Sequence, residues 1–336
     1  MCLNKDNKIL ISVIIPTYNN EKTIGRCLES FLTQNFDGLE LICIDDYSND
    51  ATVTICNSYA EKYKEVKVYS KSVEKKGVAE SRNIGINKAS GNIIGFADGD
   101  DEAYLNSLNI IEKLFRINPN VNVISGGYLI LDNNKFKSYK VYGKYKITSL
   151  GRLSEKALYK KYVGGYLWNK FFRKEIIINN KLDPNLIIGE DLNFIVKLGI
   201  QYADDNALII PDILYKYILN NDSVTTSNNV DDYYISKELI RSLKECEKNF
   251  QGASSKLSRI LSYRIYSIAL DTKRVCVLDN TQSNFIITCM KENRFNYFLM
   301  YYLNGKDNTI NFIRHSLSHI KILRTLYKRI ISRRDF

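Results

Sequence analysis

The sequence lacks the features that mark membrane-spanning, secreted or zinc-stabilised proteins. No apolar run among its 336 residues approaches the roughly 20 needed to span a bilayer. Its start leads directly into strand-like sequence, so we expect no signal peptide. The seven cysteines form no CxxC pair and are odd in number. We therefore expect reduced core thiols in a cytoplasmic protein, without a structural zinc site.

The composition is that of a folded protein with an uneven charge. Hydrophobic residues make up 45% and charged residues 25%, which suits a soluble globular core. The formal net charge is +11, and residues 306–336 hold eight basic against two acidic side chains. Such a charge gives information about binding partners and not about the fold. Polyanions, anionic lipid and phosphorylated substrates are all compatible with it.

Short apolar runs alternate with helical patterns over the first hundred residues. Strands are predicted at 10–16, 39–44, 66–69 and 92–97, with a helix after each of the first three. This alternation predicts an α/β fold with a parallel sheet and helices on both faces.

The rest of the chain is organised differently. A helix is predicted near 105–117 and a strand at 121–125, followed by a Lys-, Tyr- and Asn-rich stretch of strand and loop at 128–150. A second compact block covers 154–217. A polar, turn-prone stretch near 220–232 predicts a domain boundary, after which the sequence is helical in character.

Three carboxylates end the fourth predicted strand, at Asp98, Asp100 and Asp101. Ligands of open α/β sheets bind at the carboxyl edge of the strands. Carboxylates this close repel one another unless a cation lies between them, and Mg²⁺ or Mn²⁺ prefers such oxygen ligands. The alternative is a solvated acidic turn, for which Asp and Gly are ordinary residues.

Other charged residues have two interpretations each. Asp46 ends the second strand, where it can accept hydrogen bonds from a base or ribose, or simply cap a turn. Arg82 lies in the first turns of a helix, where phosphate binding is favoured, although it can equally pair with an acid. Glu190 and Asp191 suit a first helical turn electrostatically without any catalytic role. Trp168 can be a buried anchor or a platform for a sugar ring.

Six segments resemble, in order and spacing, the successive blocks of family 2 glycosyltransferases. They are residues 12–19, 44–52, 77–85, 96–101, 168–173 and 189–194. The first four cover roughly the first 110 residues, and the last two carry the match to about residue 217. Tyr47 stands where a small residue, often Gly, is usual, and Gly99 stands where Ser is common.

The resemblance implies a GT-A fold: a mostly parallel nucleotide-binding sheet flanked by helices, followed here by a mainly helical C-terminal region. We expect a glycosyltransferase domain over 1–225, donor-binding over about 1–110 and acceptor-binding over 111–225. Residues 226–336 are then a helical, basic C-terminal region.

The resemblance also implies a role for each matching residue. The nucleotide would be held by Pro16, Thr17, Tyr18, Asp46, Arg82 and Asp98. Asp100 and Asp101 would hold Mn²⁺ or Mg²⁺ against the diphosphate, and Asp191 would be the general base. The acceptor would be bound by Trp168, Asn169, Lys170 and Glu190. One base and direct displacement imply inversion at the anomeric carbon.

The expected partners follow from these roles. A UDP-sugar is the favoured donor, because Asp46 can accept a hydrogen bond from the N3–H of uracil. We expect a glycan or lipid-linked oligosaccharide acceptor in surface or capsular polysaccharide synthesis, and no nucleic acid. Apolar residues recur at three- and four-residue intervals from Ile310 to Leu326, with basic residues between them. Such a helix can lie on an anionic membrane surface, here the inner face of the cytoplasmic membrane, or pack its apolar side on the protein.

Two other functions are weighed against this one. A sugar-nucleotide pyrophosphorylase would need a Gly-rich phosphate loop with a basic residue in the first strand-to-helix turn, and residues 17–20 contain neither. A non-catalytic sugar-nucleotide-binding subunit would be expected to lack the base or a metal acid, and all are present.

Overall fold

The computed structural model describes residues 9–71, 77–132, 135–158, 163–219, 232–248, 255–276 and 278–303. The strands are β1 (Ile11–Thr17), β2 (Leu39–Asp45), β3 (Val66–Ser70), β4 (Ile93–Phe96), β5 (Glu102–Ala103), β6 (Val121–Asp132), β7 (Lys135–Lys140), β8 (Lys146–Ser149), β9 (Lys170–Arg173) and β10 (Asn206–Leu219). The helices are α1 (Ile24–Leu32), α2 (Thr52–Lys62), α3 (Val78–Lys88), α4 (Ser107–Ile117), α5 (Leu150–Leu158), α6 (Lys174–Ile177), α7 (Glu190–Gln201), α8 (Asp232–Lys248), α9 (Ser255–Val275) and α10 (Asn280–Leu303).

The strands form one mixed sheet in the order β3-β2-β1-β4-β9-β6-β10-β5, with β7 beside β6 and β8 beside β10. The half that comes first in the chain, β3-β2-β1-β4, is parallel throughout. β9 then inserts antiparallel between β4 and β6, and β6 runs parallel to β10. The expected α/β fold is confirmed, and its parallel part is the predicted nucleotide-binding half.

Helices cover both faces of the sheet, as the sequence predicts. In β1, Ile11, Val13 and Ile15 enter one buried cluster and Ile14 enters the other, following the two-residue period of a strand. Apolar residues of α1, α2 and α4 pack in the first cluster. Those of α3, α5, α6 and α7 pack in the second. Each layer is therefore held by burial of its apolar stripe against the sheet.

The close approach of α3 to β1 depends on Gly85. A Cβ atom at this position would lie 2.3 Å from Cγ2 of Ile14, which is far inside van der Waals contact. The missing side chain lets the helix lie against the strand at this point. Since Arg82 is one turn earlier on the same helix, this contact helps to place its backbone beside the sheet.

The chain divides into two compact units, residues 1–253 and 254–336. The expected boundary between 225 and 226 falls among residues outside the described ranges. Helix α8, which that boundary assigns to the C-terminal region, packs on α7 instead. Asn193 donates from Nδ2 to the Ser242 carbonyl at 3.2 Å, and the Ser242 hydroxyl donates to the Gly189 carbonyl at 2.8 Å. We therefore place the boundary after α8.

The described cysteines are free thiols: Cys27, Cys43, Cys56, Cys246, Cys276 and Cys289. All but Cys276 are buried, as expected of reduced core thiols. Among the described residues, no helix has the length and apolar character needed to cross a membrane. The basic segment 306–336 lies outside the described residues.

Candidate active site

The ends of β1 and β2 place Asp46 at the carboxyl edge of the parallel half. Thr17 is in register with Asp45, and the Asp46 amide donates to the Thr17 carbonyl at 2.8 Å. Both carboxylate oxygens of Asp46 already have partners. Lys71 donates from Nζ to Oδ1 at 2.9 Å, and the Gly77 amide donates to Oδ2 at 2.7 Å. The side chain expected to bind the base is thus fixed in place before any ligand is present.

The turn between β1 and α1 lines the same edge. Thr17 is 1% exposed, and within the described ranges its buried Oγ1 has no hydrogen-bond partner. Tyr18 is 53% exposed, and Pro16 is half-buried beside it. An unpartnered buried hydroxyl next to an open ring is a suitable lining for a ligand, because such a group gains a bond when the ligand arrives.

Tyr47 has a left-handed backbone, with φ of 61°. Bulky residues adopt this conformation only with strain, whereas Gly adopts it freely. This explains why a small residue is usual here in the sequences that this chain resembles.

The acidic loop after β4 holds its three carboxylates in different surroundings. Asp98 and Asp100 are half-buried, whereas Asp101 is 1% exposed. Asp101 accepts a hydrogen bond at Oδ1 from the Ile218 amide at 2.7 Å, and its buried Oδ2 has none within the described part of the chain. Burial, reinforced by the charges of Asp98 and Asp100, raises the pKa of Asp101 well above its ordinary value.

A divalent cation fits this loop as a partly protein-bound ion. No three His, Cys, Asp or Glu side chains of the described residues converge to form a complete metal cage. Mg²⁺ in phosphate-transferring sites is commonly held by one or two carboxylates, with substrate phosphates completing the shell. Asp98 and Asp100 lie in this loop as possible oxygen donors, and the buried Oδ2 of Asp101 has no hydrogen-bond partner among the described residues.

Arg82 joins the acidic loop to the first turn of α7. Its NH2 donates to Oδ1 of Asp98 at 3.0 Å, while NH1 donates to Glu190 at 2.8 Å and to Asp191 at 2.7 Å. The side chain is 4% exposed. Burial disfavours its charge, but Asp191, Asp98 and Glu190 together raise the pKa of Arg82 above its ordinary value. The cation expected near a phosphate or base is instead surrounded by carboxylates.

The Asp191 carboxyl group has a pKa close to neutral pH. Burial raises its pKa to about 7; the negative charge of Glu190 contributes, and Arg82 and the Leu167 amide oppose the rise. The Leu167 amide donates to Oδ2 at 3.2 Å. Burial likewise raises the pKa of Asp98 to about 6, against the opposing effect of Arg82. Strongly perturbed pKa values cluster at catalytic sites, so Asp98 and Asp191 are candidates for such a site.

Trp168 lies in a cluster of aromatic side chains. Its ring stacks on Tyr166 at 4.8 Å, on Tyr215 at 4.7 Å and on Tyr217 at 5.7 Å between centroids, and meets Tyr128 edge-on at 4.7 Å. It is 5% exposed. Of the two interpretations of this residue, the geometry favours the buried anchor, with little ring surface open to a sugar.

Comparisons with known proteins identify the family of this chain. The model of glycosyl transferase family 2 matches residues 12–179, which is half of the chain. The chain belongs to glycosyl transferase family 2. A cholesterol galactosyltransferase of Borreliella burgdorferi is 29% identical over 203 residues, covering 57% of this chain and 56% of that protein. The chain thus spans little more than half the length of this relative.

Two solved structures show the fold of this family 2 protein. The first is Staphylococcus aureus TarS 1-349 in complex with UDP-GlcNAc, with a TM-score of 0.67, 20% identity, and coverage of 86% of this chain and 82% of that one. The second is a mannosyltransferase from Pyrobaculum calidifontis in complex with GDP-Man and Mn²⁺, with a TM-score of 0.54, 16% identity, and coverage of 89% and 86%. The expected GT-A fold is confirmed.

The predicted acceptor residues of this family 2 protein are mostly turned inward. Lys170 is fully buried, and its Nζ donates to the carbonyls of Val163, Gly164 and Tyr166 at 3.0, 2.9 and 2.7 Å. Burial lowers its pKa to about 7. Asn169 is also fully buried and donates from Nδ2 to the Gly126 carbonyl at 2.8 Å. These two residues shape the loop that precedes them, and that loop includes the Leu167 amide bonded to Asp191.

The sequence interpretation missed two residues of the site, Lys71 and Tyr215. Lys71 comes directly after β3, where a lysine looks like an ordinary strand end, yet it is buried against Asp46. Tyr215 lies in β10, and its hydroxyl accepts a hydrogen bond from the Asp98 amide at 2.9 Å. Each reaches the site across neighbouring strands, so its role depends on strand order, for which a single sequence carries no local signal.

Proposed function

We propose that this protein is an inverting, metal-dependent glycosyltransferase that moves a hexose from UDP to a hydroxyl group of a glycan acceptor. The observation that carries the proposal is the buried Arg82 network. One guanidinium group holds a donor-side carboxylate, Asp98, and the proposed base, Asp191, on either side of itself. The reacting groups of donor and acceptor would therefore be brought together within a few ångströms, as direct displacement requires.

The donor would bind along the carboxyl edge of the parallel strands. Asp46, held by Lys71 and Gly77, can accept a further hydrogen bond from the N3–H of uracil, because each carboxylate oxygen has two acceptor sites. The unpartnered Thr17 hydroxyl and the exposed ring of Tyr18 would complete the nucleotide site.

Asp100, with Asp98 and the buried Asp101 beside it, would hold Mn²⁺ or Mg²⁺. When bound, the ion neutralises charge that develops on the departing nucleoside diphosphate. Asp101 would have a second, structural role in this loop. Its Oδ1 accepts the Ile218 amide and so fixes the loop to β10, while its buried Oδ2, without a partner among the described residues, is the oxygen that an ion would bind.

The transfer step would use Asp191 as the base. The acceptor hydroxyl oxygen attacks the anomeric carbon and loses its proton to the Asp191 carboxylate, while the bond from that carbon to the diphosphate oxygen breaks and UDP leaves with the electron pair. A single displacement inverts the anomeric centre. A pKa of about 7 suits this role, since the base is then partly ionised and still able to hold a proton at neutral pH.

The acceptor side would be shaped by the Trp168 cluster, with Asn169 and Lys170 as positioning residues behind it and Glu190 at its polar edge. A lipid-linked acceptor agrees with the basic charge of the chain, and the relative from Borreliella burgdorferi is named for a lipid acceptor, cholesterol. We further propose that the basic segment 306–336 contacts an anionic membrane surface, since it contains eight basic residues, some of which alternate with its apolar positions.

The decisive experiment compares Asp191→Asn with the parent protein on transfer and on donor binding. We expect transfer to fall by at least about a thousandfold because the base is lost, with UDP affinity in the presence of Mn²⁺ nearly unchanged. Glu80→Gln is the matched control, since this carboxylate lies on α3 outside the partners of Arg82. Normal transfer by Asp191→Asn would show that the residue is only a helix-start acid. Donor binding without transfer by the parent protein, across a panel of acceptors, would favour the non-catalytic subunit.

A further inference from the structure

The strand β7 and the residues that connect it to β8 carry a surface that the proposed reaction does not use. Residues 135–146 contain five lysines and four aromatic residues, and no Asp, Glu, Asn or Gln. All five lysines are exposed. Phe136 is 62% exposed, Tyr139 58% and Tyr145 53%. Large apolar rings exposed together in this way mark interaction sites more often than single exposed residues do.

A β-bulge brings two of these rings onto one face. In the pairing of β7 with β6, Ser138 lies opposite Ile130 and Phe136 lies opposite Leu131, so Lys137 is an extra residue in β7. Residues three apart in a regular strand point to opposite faces, and the extra residue cancels that alternation. Phe136 and Tyr139 accordingly stack, with centroids 6.3 Å apart and planes 29° from parallel.

Lysines alone on this strand would have an ordinary explanation. Within the described ranges β7 pairs with β6 alone, and lysines on an edge strand prevent edge-to-edge association. That explanation does not cover two stacked rings, each more than half exposed, which would themselves promote association. Among the described residues, the acid that pairs with this strand is Asp132, whose Oδ2 lies 3.3 Å from Nζ of Lys137. β7 therefore keeps a net positive charge, from Lys135 and Lys140, beside an apolar centre.

We infer that the exposed face of β7, with Phe136 and Tyr139 at its centre and Lys135, Lys137 and Lys140 around them, docks on an anionic lipid bilayer. Aromatic rings and lysines are the residues that settle at the boundary between headgroups and acyl chains. Anionic headgroups attract each lysine near the surface. The lysine positions would match phosphate groups while the two rings enter the apolar region.

A polyanionic glycan fits this face less well. Sugars are usually held by amide and carboxylate hydrogen bonds and by open ring faces. This stretch has no such side chains, and its two central rings use one face each against the other. A bilayer needs only apolar area and positive charge, which are the two properties that the face provides.

β7 lies near the aromatic cluster on the proposed acceptor side. Lys140 lies opposite Tyr128 in the pairing of β7 with β6, and the Tyr128 ring is 4.7 Å from that of Trp168 in the acceptor-side cluster. A bilayer held against β7 would bring lipid headgroups beside the acceptor half of the cleft. The inference goes beyond the proposed reaction, and it does not depend on segment 306–336.

The test uses the full chain and vesicles of phosphatidylcholine with and without an equal amount of phosphatidylglycerol. In the variant Phe136→Trp the new indole reports on β7, because the native Trp168 is buried among four tyrosine rings. We expect its emission to shift to the blue and to be quenched by brominated acyl chains only when phosphatidylglycerol is present. Leu105→Trp is the matched control, since Leu105 is 74% exposed but lies outside β7.

Two double variants then separate rings from charge. Phe136→Ser with Tyr139→Ser should weaken partitioning into anionic vesicles at least tenfold. Lys135→Gln with Lys140→Gln should weaken it by about fivefold per lysine, and added salt should remove the difference. Neither variant should alter UDP binding, because both changes lie outside the nucleotide site.

Three results would overturn the inference. The first is vesicle binding without quenching at position 136, which would leave segment 306–336 as the anchor. The second is partitioning that both double variants leave unchanged. The third is binding of soluble long-chain polyphosphate as tight as binding of vesicles and independent of the two rings, which would make this face a general polyanion site. If the parent protein shows no glycosyl transfer, the proposed function is contradicted, but the inference about β7 is not affected.

Discussion

The variant Glu190→Gln tests whether Asp191 is a base whose pKa is set by its neighbours. Glu190 and Asp191 share one nitrogen of Arg82, at 2.8 and 2.7 Å. Replacing Glu190 by its neutral amide removes a like charge beside Asp191 and leaves that nitrogen attracted mainly to Asp191. Both effects favour the ionised carboxylate, so the pKa of Asp191 should fall below its present value of about 7.

The size of the effect follows from the distances in the network. Two carboxylates that bind the same nitrogen lie about 5 Å apart, where like charges repel by about 3 kcal/mol at an effective dielectric constant near 20. Part of this is lost to solvent and rearrangement, and a shift of about one pH unit in the acid limb of the activity profile corresponds to about 1.4 kcal/mol. At pH 6 the ionised fraction of the base would then rise about fivefold, whereas a less basic carboxylate should lower the plateau above pH 8 about threefold.

The assay measures kcat/KM for the acceptor between pH 5 and 9, with donor and Mn²⁺ saturating so that Asp98 is not free to titrate. The acid limb of the parent should lie near pH 7, that of Glu190→Gln about one unit lower, and that of Glu80→Gln with the parent. Activity of Glu190→Gln should therefore exceed that of the parent at pH 6 and fall below it at pH 8. A limb that stays at the same pH in both variants would refute the assignment of Asp191, because its protonation would then not control the rate.

Three further predictions concern the metal, the nucleotide and the stability of the fold. Asp100→Asn should reduce turnover by several orders of magnitude and abolish its dependence on Mn²⁺ while leaving the melting temperature within a few degrees; full activity of the parent in EDTA would contradict a metal role. Calorimetry with Mn²⁺ should show tighter binding of UDP than of GDP, and Asp46→Asn should weaken UDP binding; a preference for GDP would count against Asp46 as a uracil acceptor. Glu40→Gln should lower the free energy of unfolding at pH 7 by about 1–2 kcal/mol, since hydrogen bonds from Lys67, Ser12 and Ser90 lower the pKa of Glu40 from 4.5 to about 2 despite its burial. That difference should be complete above pH 4.5 and disappear as the pH falls through about 2, which urea titrations at both ends of the range would measure.

The parallel half of the fold was predictable because its signals are local. In the first hundred residues, every apolar run that predicts a strand forms a strand in the structure. A helix follows each of the first three strands, as the apolar spacing predicts. The position of Asp46 and of the acidic loop at one edge follows from parallel topology alone. Their side-chain partners do not, because the pairing of Asp46 with Lys71 depends on how β3 lies beside β2.

The acceptor half was less predictable because its strands mix directions and pair over long separations. β9 lies between β4 and β6, although it follows them by many residues, and β10 returns to extend the sheet beyond β6. Tyr215 and Ile218 reach the acidic loop only through this return. The inward orientation of Lys170 was equally hard to predict, because lysine side chains are usually exposed. Here the buried ammonium group donates hydrogen bonds to three backbone carbonyls.

Arg82 shows most clearly how the two halves depend on each other. The motif that contains it suggested a role at a phosphate or base, because cations near helix starts often bind such groups. In the structure it is the cation around which the donor-side Asp98 and the acceptor-side Glu190 and Asp191 are arranged. These carboxylates come from two segments about a hundred residues apart, and burying them together without Arg82 would leave three unpaired charges in a poorly solvated site. Such charges would protonate or force the segments apart, so the guanidinium group is what allows the proposed base and the proposed donor-side acid to lie close together.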